Sequence, residues 1–355
     1  MSEKIRVGII GTGNISSCHI SVYEQLTSRV EVVACCDIDE QKVKNYAASH
    51  KIPHWYTDYN EMLDKEQLDA VSVTTWNAAH CAPTIAALDH GVNVLCEKPM
   101  AMNRFQAMEM EAAAKRNNKL LQIGFVRRYG ADAEMFKRFA DAGDFGDIYF
   151  AKATYLRRSG CPGGWFADRD YSGGGPLIDL GVHVMDLARY LAGCPKPVTA
   201  YGRTFRGLGN NRAAASAMAW KAPEGSSKFK CDVEDFATGM ITFDNGFTLS
   251  VEASFNLNIK NDRGGLQMFG TKAGAMVDGA PFEIYTQKNG VFVNLSPDFR
   301  GADFNEIFRR EVTHFVDCVQ NGTPCRAPAE DGVMLMKMID ALYESARTGK
   351  SVDID

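Results

Sequence analysis

The chain has 355 residues, 45% hydrophobic and 23% charged, which is enough to bury two cores and excludes a fibrous or disordered protein. A formal net charge of −5 without any long basic run leaves no electrostatic footprint for nucleic acid or an anionic membrane, and fits a small neutral substrate. Ten cysteines are scattered with no C-x-x-C pair and no His at ligand spacing; they read as reduced thiols, with no metal expected. The start, Met-Ser-Glu-Lys, enters the first strand without an apolar signal region, so a cytoplasmic location is expected.

Residues 5–10 form a short β-rich run, Gly11-Thr12-Gly13 is a tight turn, and Asn14-Ile15-Ser16-Ser17 opens a helical pattern that continues through Val22, Tyr23 and Leu26. Gly11 takes a turn conformation closed to other residues. Gly13 lets the backbone approach a pyrophosphate, whose charge then meets free N–H groups at the positive end of the helix. Ser16 stands in the third glycine position and is small enough for close helix–strand packing. The second strand, 30–36, ends at Asp37, near the offset of about 20 residues at which a carboxylate meets the adenosine ribose hydroxyls. A carboxylate accepts a bond from a free 2′-hydroxyl and repels a 2′-phosphate, and no Arg follows Asp37, so NAD is favoured over NADP.

A helical stretch follows at 40–49, then a short helix capped by Thr57 or Asp58, a buried strand at 70–74 and a helix at 83–88. The strand at 92–96 runs straight into Glu97-Lys98-Pro99. It places the Lys98 ammonium at the rim of a parallel sheet, where open α/β folds bind ligands, with Glu97 as support for Lys98. A helix at 109–116 and a strand at 120–125 complete a Rossmann doubly wound parallel sheet over residues 1–125.

Past residue 125 the pattern changes to strand-like runs at 148–157, 198–205, 237–243, 247–255, 266–269 and 275–278, often joined by Gly-containing turns. Residues 126–355 are therefore expected to form a second α/β domain with a mainly antiparallel sheet. Its C-terminal helices, 305–319 and 329–347, are free to pack back on the first domain. Residues 207–230 read as a long loop, of the kind that serves as a lid or interaction element. Within this part Gly173-Gly174-Gly175-Pro176 leads into a helix carrying Asp179, His183 and Asp186. Residues four apart share a helix face, so Asp179 and His183 point into one volume, and Asp186 is placed to orient the imidazole. Glycines before such a helix allow close approach by a ligand.

These pieces together resemble the glucose-fructose oxidoreductase, inositol dehydrogenase and rhizopine-catabolism (Gfo/Idh/MocA) family of NAD(P)-dependent oxidoreductases. The matching residues are Gly11-Thr12-Gly13-Asn14-Ile15-Ser16 with His19, Asp37, Asn77-Ala78-Ala79-His80, Glu97-Lys98-Pro99, Gly124-Phe125-Val126-Arg127-Arg128-Tyr129, Asp179-Leu180-Gly181-Val182-His183, Glu330-Asp331-Gly332 and the stretch 345–349. The resemblance implies that the second domain, 126–355, has an open sheet and serves substrate binding and oligomerisation, and that Lys98, Asp179 and His183 are the catalytic group. It also implies cofactor contacts from Gly11, Gly13, Asn14, Ile15 and Asp37, and from Thr75, Trp76, Asn77, His80, Glu97 and Lys98. Trp76 stands where the family often has a proline, which bears on the shape of the nicotinamide pocket.

The expected reaction is hydride transfer between nicotinamide and a secondary hydroxyl of a sugar, glycoside or cyclitol. His183 takes the hydroxyl proton, Lys98 stabilises the alkoxide and Asp179 orients substrate or His183, with Lys98 as the alternative proton acceptor. Arg127, Tyr155, Arg157 and Trp165, with Arg128 and Asp168 beside them, mix aromatic faces and charged hydrogen-bonders in the way a polyol site does. His80 packs near the nucleotide and His19 carries no assigned chemistry. Two alternatives stand beside this: an enzyme that retains NAD and uses transient oxidation for epimerisation, elimination or glycoside cleavage, and a non-catalytic NAD-sensing protein. An uncovered apolar sheet face predicts a homodimer or homotetramer.

Overall fold

The computed structural model describes residues 4–208, 229–278 and 281–355, and the long loop read at 207–230 falls almost wholly outside them. Two compact units emerge. One comprises residues 1–126 with 302–333, the other 127–301 with 334–355.

In the first unit, β1 (Ile5–Ile10), β2 (Val30–Cys36), β3 (His54–Tyr56), β4 (Ala70–Val73), β5 (Asn93–Cys96) and β6 (Leu121–Ile123) form a parallel sheet in the order β3-β2-β1-β4-β5-β6. The chain reverses direction across the sheet between β1 and β4, the switch point at which doubly wound folds bind ligands. The crossovers are α1 (Ser16–Tyr23), α2 (Glu40–His50), α3 (Tyr59–Lys65), α4 (Cys81–Asp89) and α5 (Arg104–Asn117). Local chemistry explains their bounds. Asp39, Asp58 and Asn103 each accept a first-turn backbone N–H, and Lys51 and Asn118 close α2 and α5 in the left-handed conformation. The central strands β1, β4 and β5 are buried on both faces, as a doubly covered sheet requires.

The second unit opens with α6 (Ala131–Asp141), β7 (Ile148–Leu156), the short α7 (Arg169–Ser172) and α8 (Val182–Leu191). There follow β8 (Pro197–Phe205), β9 (Phe236–Phe243), β10 (Thr248–Ser254), β11 (Arg263–Gly270), β12 (Ala273–Val277), β13 (Glu283–Lys288) and β14 (Val291–Leu295). α9 (Phe304–Asn321) belongs to the first unit, α10 (Ala329–Thr348) runs on from it into the second, and β15 (Val352–Asp353) ends the chain. Among the described residues the second sheet has nine strands in the order β14-β13-β12-β11-β7-β10-β9-β8-β15. It is antiparallel except where β7 meets β10, which are parallel because a long connection through α8, β8 and β9 separates them. Glycines set how closely α10 approaches this sheet: a Cβ on Gly239 would lie 2.4 Å from the Leu342 side chain.

Candidate active site

The register of the first sheet brings the relevant loops to one edge. Ile10 is level with Cys36 on one side and with Val73 on the other, and Val73 with Cys96, so Gly11, Asp37, Thr74 and Glu97 leave the sheet side by side. Gly11 has φ +91°, and a Cβ there would lie 2.8 Å from the Thr74 and Thr75 backbone. No side chain fits. The Ser16, Ser17 and Cys18 amides bond back to the Gly13, Asn14 and Ile15 carbonyls, so the helix start is already engaged. Among the described residues, the Thr12, Gly13, Asn14 and Ile15 amides have no main-chain partner, and that of Thr12 donates to Asp37. Those of Gly13, Asn14 and Ile15 stand just ahead of α1, at its N-terminal end. Ser16 is fully buried, consistent with its small-residue role.

Asp37 anchors the second loop. Its Oδ2 accepts the Thr12 amide at 2.8 Å, the Thr12 hydroxyl at 2.8 Å and Lys42 Nζ at 2.8 Å. Burial alone would raise its pKa, but the bonds from Lys42 and Thr12 outweigh it and hold the carboxyl below its usual range. Lys42, with its side chain 44% exposed, is the most exposed of these partners. Lys42 is a cation five residues past Asp37, which the absence of an arginine there does not reveal.

Glu97 is 5% exposed and sits at the centre of a buried chain of polar groups. Its Oε1 lies 3.0 Å from His19 Nε2, its Oε2 accepts the Lys98 amide at 3.1 Å, His19 Nδ1 lies 3.1 Å from Ser72 Oγ, and Ser72 Oγ lies 2.8 Å from the Tyr23 hydroxyl. Burial pushes the Tyr23 phenol up, so it donates. One assignment then satisfies every group: Tyr23 O–H to Ser72, Ser72 O–H to His19 Nδ1, and His19 Nε2–H to Glu97. His19, without chemistry in the sequence reading, is thus what holds Glu97. Gly124 makes room for this carboxylate, since a Cβ there would lie 3.2 Å from it. His80 is also buried. Its ring nitrogens face the Pro99 carbonyl at 2.7 Å and the Thr75 carbonyl at 3.1 Å, and burial pushes its pKa down. It braces the Lys98-Pro99 turn against the Thr75 loop, which is a structural role. Thr75 Oγ1 in turn bonds the Ala79 carbonyl, closing the Trp76-Asn77 loop.

In the second unit, Asp179 lies in a π-helical turn, Leu177–Gly181, that runs into α8, with Asp179 buried and His183 half-buried one turn on. Widened turns of this kind are frequent at functional sites. Buried Glu234 fastens the start of the turn: its oxygens accept the Gly175 amide at 3.0 Å, the Leu177 amide at 3.3 Å and the Tyr343 hydroxyl at 2.8 Å. The glycines before the turn are explained by this packing, correcting the ligand-approach reading. A Cβ on Gly174 would lie 2.1 Å from the Tyr343 hydroxyl, and one on Gly175 2.5 Å from the Glu234 carbonyl. Asp186 spends both oxygens on Arg128 in a buried bidentate pair, at 2.9 and 2.5 Å, with Arg128 also over the Tyr190 ring. Arg128 is therefore core, not a sugar contact. Asp168 likewise caps α7 and accepts the Lys230 amide. Arg127 and Arg157 flank the Tyr155 ring at 5.5 and 5.3 Å, Arg127 also pairing with Asp278, while Trp165 stacks on Phe166 at 3.8 Å. Tyr155 packs against the cluster around Leu180, next to Asp179.

Two family models match this chain, one described as an oxidoreductase family with an NAD-binding Rossmann fold over residues 5–125, the other as the GFO/IDH/MocA C-terminal domain over 134–276. The chain belongs to the Gfo/Idh/MocA oxidoreductases. Within that family it is 34% identical to D-glucoside 3-dehydrogenase of Escherichia coli K12, over 99% of this chain and 98% of the relative. It is 26% identical to the NAD(+)-linked scyllo-inositol 2-dehydrogenase of Bacillus subtilis 168, over 100% and 98%. A solved levoglucosan dehydrogenase, in complex with NADH and L-sorbose, superimposes with a TM-score of 0.86 at 22% identity, covering 100% of both chains, which shows the shared fold. Both domains of the Gfo/Idh/MocA pattern are thus present, as an α/β Rossmann domain and a mainly antiparallel second sheet.

One cysteine cluster departs from the scattered-thiol reading. Burial pushes Cys35 and Cys36 up to about 12, as for inert core thiols. Cys318 goes the other way, to about 5, through a hydrogen bond with Cys325 and another with His314 that outweigh burial. His314 and Cys318 are one helical turn apart, so a His does stand at ligand spacing from a cysteine, contrary to the sequence reading.

Proposed function

We propose that this oxidoreductase removes hydride from a secondary ring hydroxyl of a sugar, glycoside or cyclitol, with NAD as acceptor. The reading rests on Lys98: an ammonium directly after β5, beside the glycine loop and tied through its own backbone to a buried Glu97. Gly11, Gly13, Asn14, Ile15 and Asp37 would hold the nucleotide, which when bound supplies the electrophilic ring that takes hydride. Thr75, Trp76 and Asn77 form the loop after β4, which His80 braces, and Glu97 supports Lys98 at the cofactor side. On the substrate, His183 takes the hydroxyl proton, Lys98 stabilises the developing alkoxide and Asp179 orients the pair. Tyr155, Arg127, Arg157 and Trp165 supply the aromatic face and hydrogen bonds for a polyol. The glucoside and inositol named for the relatives share a cyclic secondary alcohol, which is the chemistry these groups serve. Asp37 favours NAD by repelling a 2′-phosphate.

The test is reduction of NAD, and of NADP in parallel, by the purified protein across glucosides, free hexoses, pentoses and inositols, with Lys98→Ala as the blank. Signal confined to one stereochemical class and to NAD is expected. His183→Ala should lower turnover about 10²–10⁴-fold, the usual contribution of a positioned base, with nucleotide affinity retained. Wild-type turnover in that variant removes His183 from the mechanism.

A further inference from the structure

We propose that His314, Cys318 and Cys325 form a binding site for a thiophilic divalent cation of the zinc type, separate from the hydride chemistry. The three donor atoms, Nε2 and two sulfurs, all lie within 4.8 Å of one another. Two come from successive turns of α9. The third is delivered because α9 stops at Gly322, in the left-handed conformation at φ +66°, and the chain folds back. Cys318 Sγ and His314 Nε2 are 3.4 Å apart. Metal bonds of about 2.0–2.3 Å in a tetrahedral site give donor edges of about 3.3–3.8 Å, so this edge is already at ligating distance, and the others are no longer than 4.8 Å.

The donors are also in the right state to bind. The Arg326 amide donates to His314 Nε2 at 3.0 Å, which puts the ring proton on Nδ1; a cation would take over the Nε2 lone pair from that amide. Cys325 Sγ donates weakly to Gln122 Oε1 at 3.6 Å, a contact that a thiolate would exchange for the cation. Two sulfurs and an imidazole select zinc, or its spectroscopic substitute cobalt, over the oxygen-seeking magnesium and calcium. Cys318 is buried while His314 and Cys325 are half-buried, so the cluster is reached from the side of the latter two. The ion would lock the end of α9 to the segment that returns to the edge of the first sheet, where the Ile123 amide bonds the Ala327 carbonyl at 2.9 Å and Gln122 bridges to Pro328.

The experiment is an anaerobic Co²⁺ titration of the full chain after reduction and chelator treatment. One Co²⁺ per chain is expected, with a thiolate-to-cobalt charge-transfer band in the near ultraviolet, visible bands of tetrahedral intensity, and displacement by Zn²⁺. Cys318→Ser and Cys325→Ser should each weaken Co²⁺ binding at least about tenfold and cut the charge-transfer band; His314→Gln should weaken it as much while keeping the band. Circular dichroism and nucleotide binding establish that each variant is folded. A fully reduced wild-type chain that takes up no Co²⁺ overturns the proposal. So does uptake that lacks the thiolate band or persists unchanged in the folded Cys318→Ser, Cys325→Ser double variant.

Discussion

Glu97 at the end of β5 has its two oxygens held from opposite sides, by the His19 ring and by the Lys98 amide, in a place with almost no water. Removing the ring leaves a buried acceptor without its donor, and removes the acceptor of the Ser72 hydroxyl as well. Hydrogen bonds to charged groups contribute about 1.5–3 kcal/mol, and His19→Ala should lose stability on that order in urea denaturation. His19→Gln, whose amide can donate to the same oxygen, should recover part of it. Turnover should fall in His19→Ala as well, because the carboxylate that fixes the Lys98 backbone is no longer fixed. An unchanged urea midpoint for His19→Ala would show that the chain of polar groups does not hold Glu97. In the sequence His19 stands just past the glycine motif, and nothing near it marks this role. Its partners are 53 and 78 residues away, and only the pairing of β1 with β4, and of β4 with β5, brings them within reach.

The elements that position Asp179 show what a sequence pattern can and cannot carry. The parallel strands, the glycine loop and the stops at Gly322 and Gly349 were legible because each is a local preference, a run of buried β-branched residues or a positive φ. The triple glycine at 173–175 was legible as a constraint but not as the right one. Space is required there by Tyr343 and Glu234, which lie far along the chain, and no local rule exposes them. The β13–β14 hairpin was missed for a related reason: in β14 mixed and largely exposed positions give no clean alternation, and tertiary pairing supplies the strand. α6 was missed although its amphipathic pattern, with Asp132 and Glu134 in the first turn, is local. The glycine reading has a direct test. Gly174→Ala should cost about 1–3 kcal/mol by overpacking. Combined with Tyr343→Phe, which removes the oxygen at 2.1 Å, the penalty should shrink, giving a coupling of at least about 0.5 kcal/mol in a double-mutant cycle. Additive effects would return Gly174 to a role in ligand approach.

At the scale of the whole molecule, the second sheet is covered on one face and open on the other. Ala151, Ala153, Leu249, Val251, Ala253, Leu266 and Met268 are buried, and α8 packs on β7, β10 and β11. On the opposite face Tyr201 of β8 stands level with Met240 of β9, and they are 46% and 48% exposed. Their neighbours on that face are Thr199 opposite Thr242 and Arg203 opposite Thr238, so two large apolar side chains sit in a polar frame. That combination, apolar centre and polar rim, is the make-up of an interface core more than of a solvated sheet. A homodimer or homotetramer paired through this face is the expected state, and sedimentation velocity at micromolar concentration reads it directly. The pair Tyr201→Arg, Met240→Arg places like charges opposite one another on both copies and should shift the sedimenting species toward monomer, while far-ultraviolet circular dichroism stays unchanged because neither side chain contributes to the core. A wild-type chain that sediments as a monomer across the accessible concentration range removes the interface. An assembly that the double variant leaves intact moves it elsewhere on the surface, with the exposed Phe292 of the β13–β14 hairpin as the next position to charge.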